Sequence, residues 1–79
     1  MSKVTIEQIL ETIENANLVK DVNALDHTKP LREQGIDSLD FSGVLFNMEE
    51  AFGIEIPDAD IDSLQTINDI LVYVNKKLG

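Results

Sequence analysis

The chain has 79 residues, no cysteine and a formal net charge of −9. A length of this order predicts one domain over residues 1–79 with one small core, which supplies only a few kcal/mol unless a staple helps. Without cysteine there is no disulfide or thiolate metal site, so stability rests on helix packing, and any sulfur the protein handles must arrive on a cofactor.

The charge opposes direct binding to nucleic acid or anionic lipid and favours a basic protein surface as partner. The stretch after Met1, with Glu7 and Glu11, reads as neither a signal peptide nor a membrane span. A cytoplasmic monomer without membrane insertion is therefore expected. The six basic residues are Lys3, Lys20, Lys29, Arg32, Lys76 and Lys77, leaving none from Glu33 to Asn75. That same segment holds ten acids: Glu33, Asp37, Asp40, Glu49, Glu50, Glu55, Asp58, Asp60, Asp62 and Asp69. They read either as a solvated surface or as an interaction face, and such concentrated like charge costs stability.

In chain order, Thr5-x-x-Gln8 reads as a capping box that opens a first helix. Ile6, Ile9, Leu10 and Ile13 form one buried stripe, Glu7, Glu11 and Glu14 lie opposite, and fraying is expected at Asn15 to Asn17. From about Leu18 to Asp37 runs a connection too long to be structureless, with Val19, Val22, Leu25, Leu31 and Ile36 as anchors and helical turns near Lys20 to Leu25. Pro30 and Gly35 punctuate it.

The second helix is predicted over Ser38 to Phe52, with Gly53 ending it. At about 100° per residue, Phe41, Val44, Leu45, Met48 and Phe52 gather on the core side. Leu39 and Phe46 fall together on the wet side, beside Ser42, Glu49 and Glu50. Pro57 opens a short third helix in which Ile61 and Leu64 point inward. Thr66 caps the last helix with Asp69 at its third position, over a stripe of Ile67, Ile70, Leu71, Val74 and Leu78. Lys76 and Lys77 suit the negative end of its dipole. The fold class is all-α: a four-helix bundle with three main helices, one short third helix and a long first loop.

Ser38 closes that loop and opens the second helix. A hydroxyl there is exposed, near unsatisfied backbone N–H groups and the positive end of the helix dipole, which suits a phosphate ester. Asp37 and Asp40 can cap the helix and attract cations. An ordinary helix N-terminus would use the same residue types. A self-activated serine would need a base, and His27, the only histidine, is eleven residues upstream in the loop.

Gly35-Ile36-Asp37-Ser38-Leu39-Asp40, followed by Met48-Glu49-Glu50-Ala51-Phe52 and by Ile54-Glu55-Ile56-Pro57-Asp58, resembles the acyl carrier protein family over nearly the whole chain. The resemblance implies that Ser38 receives 4′-phosphopantetheine from coenzyme A, through a separate magnesium-dependent phosphopantetheinyl transferase. Acyl groups would then ride as thioesters on the arm. The chain would have no catalytic residue and no resident metal, acting as cosubstrate of acyl-transfer, synthase and related enzymes of fatty acid, lipid or polyketide biosynthesis. Asp37, Leu39, Asp40, Phe46, Glu49 and Glu50 match the positions that dock against basic partner surfaces, with Asp37 near the transferase metal. Three departures, Ser42, Gly43 and Ile61, imply a specialised member. The first two alter the docking face, and Ile61 narrows the inter-helix cavity in which family members hold acyl chains.

Other readings stay open at this point. A peptidyl or aminoacyl carrier shares the architecture, although Asp37 before the serine favours the acyl branch. An acidic adaptor without a covalent group accounts for the charge but not for Ser38. Asp58, Asp60 and Asp62 mimic positions 1, 3 and 5 of a calcium loop, but Ser63 and Asp69 stand where glycine and glutamate are needed.

Overall fold

Helix α1 (Ile6–Asn15) begins where Thr5 caps it. The Gln8 N–H donates to Thr5 Oγ1 at 3.4 Å and the Thr5 N–H donates back to Gln8 Oε1 at 2.8 Å, the reciprocal pair of a capping box. The computed structural model describes residues 3–17 and 21–79. Ile9, Leu10 and Ile13 are buried, Ile6 is half-buried, and Glu7, Glu11 and Glu14 face solvent. After Asn15 the chain turns through Ala16 into Asn17, whose φ of 58° is a left-handed geometry that asparagine tolerates better than most residues.

The connection to the second long helix is packed down by two short 3-10 turns, Val22–Ala24 and Leu31–Gln34. Val22, Leu31 and Ile36 are buried anchors and Leu25 is half-buried; Val19, expected to join them, lies outside the described residues. Gln34 holds the loop's shape. Its Oε1 accepts the Asp26 N–H at 2.7 Å while its Nε2 donates to the carbonyls of Asp26 and Lys29 at 2.9 and 3.0 Å. Asp26 in turn accepts from the Thr28 hydroxyl and amide, and these bonds hold its carboxyl below the usual carboxylate range.

Helix α2 (Ser38–Phe52) buries Phe41, Val44, Leu45 and Met48 and ends at Gly53, where φ of 65° suits a residue without Cβ. Helix α3 (Asp58–Ile61) follows Pro57 and buries none of its residues; Leu64 just beyond it is buried, while Ile61 is only half-buried. Helix α4 (Ile67–Leu78) opens with a second capping box. There the Asp69 N–H donates to Thr66 Oγ1 at 3.0 Å and Asp69 Oδ2 accepts the Thr66 N–H at 3.2 Å. Ile67, Ile70 and Val74 are buried, but Leu78, expected in the same stripe, is 42 % exposed because the last turn runs past the core. No strand occurs among the described residues, and no helix is long and apolar enough to cross a membrane.

α1 packs against both α2 and α4, and the buried residues form one continuous cluster. Two polar contacts tie its edges. Val4 donates its N–H to Asn75 Oδ1 at 2.7 Å and accepts from Asn75 Nδ2 at 3.1 Å, stapling the segment before α1 to α4. The Tyr73 hydroxyl donates to Asp60 Oδ2 at 2.6 Å, joining α4 to α3.

Two stability measurements follow from this packing. A Cβ at Gly43 would meet no atom within 4 Å. Gly43→Ala is therefore expected to stabilise α2 by about 1 kcal/mol, raising Tm by about 4–8 °C; a fall in Tm would show that the glycine is required. Desolvation, then the bond to Asp60 and the nearby negative charge, push the Tyr73 hydroxyl from 10.0 up to about 12. The unfolded chain releases this proton first. The associated stability is thus complete below pH 10.0 and lost as pH rises towards about 12. Tyr73→Phe should lower stability at neutral pH and remove that part of the alkaline decline, as read from urea melts at several pH values.

Candidate functional site at the start of helix α2

The position of Ser38 follows from the residue before it. Asp37 has extended backbone geometry (φ −74°, ψ 178°) and its Oδ1 accepts the Asp40 N–H at 2.8 Å, while its carbonyl accepts the Phe41 N–H at 2.8 Å. Asp37 is thus the N-cap and Ser38 the first helical residue. The first-turn N–H groups of Ser38 and Leu39 have no partner among the described residues. Neither has the Ser38 hydroxyl, although the Ser38 carbonyl accepts from Ser42 Oγ at 3.1 Å. Among the described residues no bond joins His27 to Ser38; the His27 carbonyl accepts the Asn68 N–H at 3.2 Å.

Ser38 opens onto a pocket of about 220 Å³ between α2, α3 and the long loop. Its apolar lining is Phe41, Ile61 and Leu64, the first and last of them buried; Arg32, Ser42, Asp62 and Gln65 supply polar, exposed lining. The loop wall is held in place by the Leu31 N–H, which donates to the Gln65 carbonyl at 2.8 Å. That bond sets Arg32 beside Gln65 on the rim, a cation that charge counting along the sequence did not connect with Ser38.

The six residues expected to face partners are on or beside α2, yet they are not equivalent. Leu39 is 81 % and Phe46 59 % exposed, large apolar side chains standing in water. Asp37, Leu39, Phe46 and Glu50 are exposed, while Asp40 and Glu49 are half-buried. Glu49 has a structural task that the sequence did not disclose: its Oε2 accepts the Ile56 N–H at 2.7 Å, pinning the α2–α3 connection. The calcium-loop spacing is consumed by helix. Asp58 and Asp60 lie within α3, Asp60 is bound to Tyr73, Asp69 is engaged in the α4 cap, and no cluster of three metal-ligating side chains occurs among the described residues.

A pair of substitutions separates the structural carboxylate from the exposed one. Glu49→Ala should cost about 1–3 kcal/mol because the Ile56 N–H loses a charged acceptor, whereas Glu50→Ala should stay within about 0.5 kcal/mol of the parent. Equal effects in urea melts would contradict the assigned role of Glu49.

Comparison with known proteins agrees with this geometry. The family model described as "Phosphopantetheine attachment site" matches residues 5–74. An acyl carrier protein of Exiguobacterium sp. is 34% identical over 79 residues, covering 95% of this chain and 100% of that protein. Acyl carrier proteins of Thermotoga maritima and Campylobacter hominis are 34% and 36% identical, covering 77% and 78% of this chain and 75% and 77% of their own lengths. A family model spanning most of the chain, together with relatives matched over three quarters or more of their length, settles the assignment: the chain belongs to the acyl carrier protein family and has its phosphopantetheine attachment domain.

Proposed function

We propose that Ser38 Oγ is the atom to which 4′-phosphopantetheine is joined, and that the chain presents acyl thioesters on this arm to biosynthetic enzymes. The observation that carries the reading is a hydroxyl without a competing partner, at the first residue of α2, on the rim of a pocket with an apolar lining. The residues present fit a phosphodiester there. The free N–H groups of Ser38 and Leu39, the positive end of the α2 dipole and the Arg32 guanidinium on the same rim all favour an anion. When bound, the arm supplies the thiol that the cysteine-free chain lacks. The protein's own part is to hold the attachment point on a rigid helix end and to shelter the near end of the cargo between α2 and α3.

In this reading the chain is a cosubstrate, and the chemistry takes place in a phosphopantetheinyl transferase and in acyl-transfer and synthase enzymes. These partners meet the exposed face of α2. Asp37, Asp40, Glu49 and Glu50 provide charge for steering towards basic rims, and Leu39 and Phe46 provide apolar contact once docked. Mutual repulsion among so many acids keeps the carrier from self-associating.

The test is intact-mass measurement after incubation with a promiscuous phosphopantetheinyl transferase, magnesium and coenzyme A. One arm per chain is expected for the parent and none for Ser38→Ala. An unmodified parent, or an adduct that survives Ser38→Ala, sinks the attachment reading.

A further inference from the structure

The geometry points to Arg32 as a positioning residue for the arm. Its guanidinium holds the phosphodiester joined at Ser38 against the long loop, clear of the exposed Leu39 and Phe46 face of α2. The inference rests on the attachment reading above and goes beyond it to what fixes the root of the arm.

An anion attached at Ser38 enters a negative neighbourhood. Asp37 precedes it, Asp40 lies in the same helical turn, and Asp62 stands exposed on the pocket rim. The free N–H groups of Ser38 and Leu39 and the α2 dipole oppose that repulsion, but they act along the helix axis. They leave the phosphodiester without a preferred side. A cation on one side supplies the preference, and from Glu33 to Asn75 the sequence has none. Arg32 is the one basic residue in the lining of the pocket that contains Ser38. Its guanidinium makes no hydrogen bond among the described residues, and none joins it to the Asp62 carboxylate on the same rim.

The backbone that carries Arg32 is fixed on both sides. Leu31 and Ile36 are fully buried, the Leu31 N–H is bonded to the Gln65 carbonyl at 2.8 Å, and the Leu31 carbonyl accepts the Ile36 N–H at 3.3 Å. The 3-10 turn closes at Gly35, whose φ of 93° suits a residue without Cβ. Asp37 then starts α2, so a short, tightly specified run of backbone brings Arg32 and Ser38 to one pocket of about 220 Å³. Ser38, Phe41 and Ser42 present one side of α2 to that pocket, while Leu39 and Phe46 lie outside its lining. A phosphodiester drawn to Arg32 therefore lies on the pocket side, and the apolar side chains that meet partners stay uncovered. Arginine suits the task because its planar fork bonds two phosphate oxygens at once and stays charged. Lys29, a cation of the same loop, does not line the pocket.

The experiment compares the full chain before and after loading with a promiscuous phosphopantetheinyl transferase, magnesium and coenzyme A. Exchange of the Arg32 Nε proton with water is read by NMR in both forms, and the phosphorus resonance of the arm in the loaded one. Loading should slow the Nε exchange about two- to fivefold, the range of an exposed ion pair. An Arg32 that merely supports the loop would not respond to loading. The phosphorus resonance should shift in Arg32→Gln relative to the parent, shift less in Arg32→Lys, and stay in place in Lys29→Gln. Salt should move the parent's resonance towards that of Arg32→Gln. The proposal is overturned if Nε exchange is the same with and without the arm, if Arg32→Gln leaves the phosphorus resonance unchanged, or if Lys29→Gln shifts it equally. The exchange measurement uses the parent alone, so it decides the matter even where a variant folds poorly. A parent chain that takes up no arm would instead remove the attachment reading on which this one stands.

Discussion

The start of α2 is held by one carboxylate. Asp37 leaves the loop in an extended conformation and turns its side chain onto the Asp40 N–H, so that the helix can begin at Ser38 and nowhere else nearby. One consequence follows from that cap: the serine is exposed at the positive end of a helix of fifteen residues, with free N–H groups beside it. The helical period, wherever the helix starts, brings Phe41, Val44, Leu45 and Met48 into the core together and leaves Leu39 and Phe46 in water. A helix starting one residue later would keep its stripe but would place Ser38 in the loop, outside the first turn and its dipole.

The long loop does for the other wall of the pocket what Asp37 does for the helix. Leu31 and Ile36 are buried, and the Leu31 amide is bonded to the Gln65 carbonyl, so the loop is clamped onto the α3–α4 connection. Gln34 closes the loop on itself through bonds to Asp26 and Lys29. Arg32 therefore lines the pocket from a backbone anchored through its neighbour Leu31. By contrast α3 brings no buried residue and is joined to α4 through Tyr73 and Asp60.

Much of this was legible in the sequence because it depends on local rules. Thr5 with Gln8 and Thr66 with Asp69 announce their capping boxes by spacing alone, and both form as read. The α2 stripe and its two exposed apolar residues follow from helical period, and Gly53 ends the helix for lack of a Cβ. The misses share a cause, since each depends on contacts distant in sequence. The Val4–Asn75 pair spans 71 positions, and the Tyr73–Asp60 bond joins two helices. The placement of Arg32 depends on a backbone bond from Leu31 to Gln65. Leu78 carried the right period for burial, but period does not say where the neighbouring helices stop.

The acidic segment shows how one composition serves two demands. Ten carboxylates between Glu33 and Asp69 ought to repel one another and loosen so small a core. Four of them are spent on the fold: Asp37 and Asp69 cap helices, Glu49 holds the Ile56 amide and Asp60 accepts from Tyr73. In each case negative charge is placed against a donor that would otherwise be left unpaired, which converts part of the repulsion into hydrogen bonding stronger than a neutral acceptor gives. The other six, Glu33, Asp40, Glu50, Glu55, Asp58 and Asp62, make no side-chain hydrogen bond among the described residues. In the docking proposed above, a basic surface relieves the repulsion of these uncommitted charges, and no bond within the fold has to break when it leaves.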